Sequence, residues 1–197
     1  MSFEFIRLRA TNFVLYEDLE INFRELEGNL IFITGKNLDV SGTDSNCSGK
    51  TLIGDIFTDL LFDKTIRRHS QGSFIGKFGK WCSSSLLIED TLSEKRYLIK
   101  KFRKHPKHGD KLFFIEQFKG KKKDLSRKTK ADTYKRIAKV FGINWRTFRN
   151  RNYFGQDDPE RFLKVTDAKK AEIIIDIQDL HDFQKAKDLS SSNLKEI

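Results

Sequence analysis

An α/β fold with a mixed sheet, in which a phosphate-binding loop feeds the first long helix, is the architecture predicted by this sequence. Three observations predict it. The string Asn46-Cys47-Ser48-Gly49-Lys50-Thr51 is reached through a polar loop from the apolar run at residues 30–34 and directly precedes an amphipathic stretch. Strand-like runs at residues 86–88, 97–102 and 112–118 follow one another with only turn-rich or charged links, the pattern of an antiparallel meander rather than a βαβ series. The last third of the chain carries helical spacing, closing on Ile173, Ile174, Ile175, Ile177 and Leu180.

Residues 3–9 alternate apolar with charged side chains and read as the first strand, and residues 19–23 as the second. The run at 30–34 is the third strand, the one that leads into the phosphate loop. Leu52, Ile53, Ile56, Phe57, Leu60 and Leu61 then recur at helical spacing, so the helix opened by Ser48 to Thr51 has one buried stripe. After the meander, Tyr134, Ile137, Ala138 and Phe141 mark another helix, stopped by Gly142. Residues 144–148 begin a short helix, residues 155–159 form a turn, and Thr166 or Asp167 N-caps the final helix. Past Phe183 the apolar content falls away. This organisation predicts a lobe over residues 1–165 and a helix over 166–197 leading toward a coiled-coil arm, although no heptad repeat here is long enough to establish one.

The loop carries the chemistry. Successive backbone amides at a helix N-terminus form a concavity for polyphosphate, which the helix dipole also favours. Gly49 allows close approach, Lys50 brings a full charge to the outer phosphates, and the Thr51 hydroxyl is placed to ligate Mg2+. ATP is the first ligand these residues suggest, held by amides from Asn46, Cys47, Ser48 and Gly49 through Leu52. The usual G-x-x-x-x-G-K-[ST] spacing would put glycine at position 44, where this chain has Asp44. The loop therefore reads as a lengthened one, running from Gly35-Lys36-Asn37 through residues 38–45 to Asn46. The competing reading is an ordinary loop and helix start, where Ser and Gly are common.

A net charge of +10 over 197 residues points to a polyanionic partner. Much of it lies in the runs at 100–105, 119–123, 127–130 and 146–151, with Phe102, Phe113, Phe114, Trp145, Phe148, Tyr153 and Phe154 interleaved. DNA is the natural candidate, against solvated turns and helix faces or an acidic partner polypeptide. No apolar run approaches the roughly 18 residues needed to span a bilayer, and the N-terminus has no signal-peptide core, so the expectation is a cytoplasmic protein without a membrane partner. Cys47 and Cys82 cannot make a disulfide framework or a zinc site by themselves.

In this order the pieces resemble the N-terminal half of an SMC-like ABC ATPase head, most closely the SbcC-type ATPase subunit of DNA double-strand-break exonucleases, including phage recombination exonucleases. The likeness spans nearly the whole chain. It includes Thr11-Asn12-Phe13, the stretch from residue 30 to Thr51, the meander with residues 95–101, Tyr153-Phe154-Gly155-Gln156, and Phe162-Leu163 followed by residues 166–174. The resemblance implies an ATPase in which Lys50 and Gln156 serve catalysis and Thr51 and Gln156 hold Mg2+, with Asn12, Gly35 and Asn37 beside the nucleotide. Its partners would be a nuclease subunit, DNA, and a C-terminal half-head or second ATPase chain. That last partner is implied because the signature motif and Walker B carboxylates of such heads have no counterpart here; residues 173–176 come nearest, but Ile177 follows where an acid belongs. Two alternatives stand beside this reading: a basic DNA-binding module with a vestigial loop, and an SMC-like ATPase of a DNA-modification or anti-phage defence system.

Overall fold

Alternation of inward apolar and outward polar side chains carries the chain through β1 (Phe3–Phe13) and β2 (Tyr16–Asn22), which form a hairpin. The computed structural model describes residues 3–26, 28, 30–35, 49–65, 71–152, 165–178, 180, 183, 186 and 190. After the hairpin come α1 (Lys50–Phe62), β3 (Cys82–Asp90), β4 (Lys95–Arg103), β5 (Leu112–Phe118), β6 (Lys121–Asp124) and α2 (Lys130–Phe141). The six strands form one sheet in the order β2-β1-β3-β4-β5-β6, with every pairing antiparallel. The meander predicted from sequence is therefore present. It is also longer than the apolar runs suggested, because Ser83, Ser84, Lys95 and Arg96 pair in the ladder too.

Register places Leu8 opposite Leu86, Leu86 opposite Ile99, and Ile99 opposite Phe114. These four side chains are fully buried and make one continuous row across the sheet. Each contributes about 1.5–3 kcal/mol of burial free energy. A bulge between Phe5 and Arg7 turns Ile6 inward, where it is 8% exposed. Helix α1 packs on β3 and β4, and α2 on β5 and α1, so the core lies between the sheet and these two helices. On α2, the Thr129 hydroxyl accepts the Asp132 amide at 3.1 Å, and the helix stops at Gly142 with φ of 63°.

Two expectations about the sheet are corrected. The run at residues 30–34 is described and is not a strand: it is extended coil, with Leu30 88% and Phe32 87% exposed. A strand needs a neighbour to accept its amides and carbonyls, and no described segment pairs with this one. The sheet predicted as mixed is consequently purely antiparallel among the described residues.

The chain divides into two compact units, Met1–Gly142 and Ile143–Ile197. Within the second, α3 (Trp145–Asn152) and α4 (Asp167–Gln178) pack on each other. Asn144 Oδ1 accepts the Thr147 amide at 2.9 Å to open α3, and Ile173 on α4 is buried. The turn predicted at 155–159 lies outside the described residues.

Candidate functional site

Gly49 occupies the N-cap of α1 in the left-handed region, with φ 84° and ψ 0°, and among the described residues no side chain caps the helix. Its carbonyl accepts two hydrogen bonds, from the Leu52 amide at 2.8 Å and from the Tyr16 hydroxyl at 3.0 Å. A Cβ at this position would meet Tyr16 Oη at 3.3 Å, in a backbone region that L side chains rarely adopt. Tyr16 stands at the start of β2, so the first hairpin fixes where α1 begins. Partial burial raises the Tyr16 pKa above its ordinary value, which keeps the phenol protonated as a donor.

From that fixed start the helix distributes its first residues by periodicity. Leu52 points inward and is 4% exposed, anchoring the first turn in the core. Lys50 is half-buried and Thr51 exposed, so the hydroxyl faces solvent at the mouth of the helix. This arrangement suits an anion: a lysine and an exposed hydroxyl follow one another in the first turn, at the end of the helix where its dipole is positive. Gly35 is half-buried in the coil that follows the apolar run. Asn37, Asn46, Cys47, Ser48 and Gln156 lie outside the described residues.

Asn12 has a role that the motif did not suggest. It is 5% exposed with φ of 49°, and it ties the end of β1 to residues 74–81. Its Nδ2 donates to the Trp81 carbonyl at 2.7 Å, its Oδ1 accepts the Phe78 amide at 3.1 Å, and its backbone carbonyl accepts the Gly76 amide at 2.9 Å. The approach is close enough that a Cβ on Gly76 would fall 2.6 Å from Asn12 Oδ1.

Toward its C-terminal end α1 carries a buried ionic hub. Asp59 Oδ1 accepts from Lys101 Nζ at 2.8 Å and from Arg103 Nη2 at 2.5 Å, and Lys101 also reaches Asp63 Oδ1 at 2.5 Å. The Tyr134 hydroxyl of α2 donates to the Asp59 carbonyl at 3.1 Å. Burial lowers the Arg103 pKa, but the Asp59 charge and hydrogen bond outweigh this and raise it overall. Burial pushes the Tyr134 phenol far up, with the Asp59 charge adding to it. Lys101 is 1% and Arg103 5% exposed. Two cations of the run at 100–105 are therefore internal counter-charges, and the expectation that this whole run faces a polyanion is corrected. A sequence signal existed: Asp55, Asp59 and Asp63 recur at i, i+4 and i+8, an acidic stripe within a helix read only for its apolar one.

Among the described residues no group of three His, Cys, Asp or Glu side chains could hold a metal ion. A Mg2+ at this site would rest on Thr51 and on phosphate oxygens, as Mg2+ commonly does. The exposed hydroxyl of Thr51 at the helix mouth fits that arrangement.

No family model matches the chain, and no curated protein sequence matches it. Among solved structures it is similar to the recombination mediator protein RecF-ATP in the RecFOR pathway, at 16% identity and a TM-score of 0.42. The match covers 100% of this chain and 47% of that one, so the chain spans about half the length of that protein.

Proposed function

We propose that this chain binds Mg-ATP at the N-terminus of α1 as the N-terminal half of an SMC-like, ABC-type ATPase that acts on DNA ends together with a nuclease. The observation that carries the reading is the placement of Gly49-Lys50-Thr51. The glycine is left-handed at the helix N-terminus, its carbonyl is held by Tyr16, and the next two residues bring a cation and a hydroxyl to the same end. Lys50 binds the outer phosphates, the Thr51 hydroxyl would ligate Mg2+, and main-chain amides ahead of Leu52 cradle the chain of phosphates. The metal supplies charge neutralisation at the phosphates when bound. Water then attacks in line, with most of the acceleration coming from fixed positive charge. A second polypeptide or half-head provides the Walker B carboxylate and signature motif, and the helix from residue 166 begins the arm toward it.

Lys50→Ala tests the assignment by titration with labelled ATP and Mg2+. Loss of a hydrogen bond to a charged group weakens binding by about 1.5–3 kcal/mol, roughly ten- to a hundredfold. Unchanged affinity would remove Lys50 from the site. The exposed coil at 30–34 favours a second reading, in which the loop holds only an anion and the chain is a basic DNA-binding module. That reading requires DNA binding to be indifferent to Mg-ATP.

A further inference from the structure

The strongest unassigned charge on the first unit lies on α2 and the turn before it. Arg127, Lys128, Asp132, Lys135, Arg136 and Lys139 line one shallow groove of about 550 Å3, five cations with one carboxylate. At 100° per residue positions 132, 135 and 139 fall on the side of the helix opposite Thr133 and Ile137, which are 1% exposed, with Arg136 on the flank and Arg127 and Lys128 in the turn that precedes the helix. The apolar face of α2 is thus consumed by the core, and its cationic face is left to solvent. Asp132 offsets one of these charges, pairing with Lys135 at 3.5 Å while accepting the Thr129 hydroxyl at 2.7 Å, so five cations against one carboxylate still leave the face strongly positive. Arg127, Lys128, Lys135 and Lys139 are exposed, and Lys135 keeps 81% of its side chain in water.

We infer that this face of α2 is a docking surface for the sugar-phosphate backbone of double-stranded DNA. The lining has no aromatic residue, so it offers no platform for stacking bases. Lys135 and Lys139 are about 6 Å apart along the helix axis, within two steps of a strand whose charges recur every 3.4 Å or so. The inference takes up the DNA partner of the proposed function but rests on α2 alone. It is independent of the nucleotide site.

The test is a salt titration of duplex DNA binding by the full chain, with Lys128→Gln, Lys135→Gln and Lys139→Gln combined in one variant. All three side chains are exposed, and circular dichroism checks that the fold is kept. A matched variant with Lys121→Gln, Lys122→Gln and Lys123→Gln removes the same charge from β6. Each lost phosphate contact removes about 0.9 from the slope of log K against log salt, so the α2 variant is expected to be shallower by about 2 to 3. The β6 variant is expected to keep the parental slope within about 1. Equal losses in both variants would reduce the effect to net charge and overturn the proposal, as would an unchanged α2 variant. Tighter binding of duplex RNA, or displacement of the DNA by polyglutamate at equal charge concentration, would overturn it in favour of a different partner. ATP binding measured on the same α2 variant separates the two proposals: retained ATP affinity with the slope lost supports the α2 surface alone, and loss of both assigns the residues to the nucleotide site and overturns it.

Discussion

One backbone oxygen decides where the phosphate-binding helix starts. The Gly49 carbonyl accepts from both Leu52 and Tyr16, and the glycine can supply that oxygen only by adopting a positive φ. Gly49→Ala is expected to destabilise the protein by about 1–2 kcal/mol, the cost of an L residue in the left-handed region. Its new Cβ would also press on Tyr16. Urea unfolding at constant m-value measures this, and an unchanged midpoint would contradict the backbone assignment. Gly49, Lys50 and Thr51 were legible in the sequence because their geometry is local, set by three adjacent residues at a helix start. Tyr16 was not, since its contact crosses 33 positions and a lone Tyr at a strand end looks like any other. The structural part played by Asn12 was equally hidden: its amide is occupied at both ends in holding residues 74–81, through contacts that cross 66 and 69 positions.

At the scale of elements, α1 meets the sheet through charge as well as through Leu52, Ile56 and Leu60. Asp59 holds two cations of β4 in a site where each group is at most 5% exposed. Breaking such a buried pair by deleting one partner costs about 3–5 kcal/mol, because the remaining charges stay in the low-dielectric interior. Asp59→Ala is therefore expected to lose that much stability in thermal or urea unfolding. The combination Asp59→Leu, Lys101→Met and Arg103→Met should recover most of it. A loss under about 1 kcal/mol in the single variant would mean that the hub is better solvated than its burial indicates. Antiparallel pairing was readable here because β3, β4 and β5 follow one another through short turn-rich or charged links, residues 91–94 and 104–111, with no room for a crossover helix. The run at 30–34 misled for a physical reason: its apolarity reports a preference for burial in a sheet, and pairing depends on a neighbouring strand that no local pattern encodes.

For the molecule as a whole, four buried or half-buried acids shift in the same direction. Burial raises the pKa of Cys82, Tyr16, Tyr97 and Tyr134. When an acid's folded pKa lies above its unfolded one, the unfolded chain gives up its proton first, and stability falls once pH passes the unfolded value. That decline begins near pH 9 for the thiol and steepens near pH 10 for the three phenols. Unfolding midpoints should be level from about pH 7 to 8 and drop progressively up to pH 10.5, with Tyr134→Phe flattening the upper part of the curve. A midpoint independent of pH through 10.5 would show that these groups reach water in the folded state.

The Asp59 hub also sets how force passes through the protein. Sliding α1 by a single residue, about 1.5 Å, would draw Lys101 and Arg103 off their shared acceptor and strand both inside. Helix and sheet are thereby locked against shear, and α1 behaves as a lever fixed to its base.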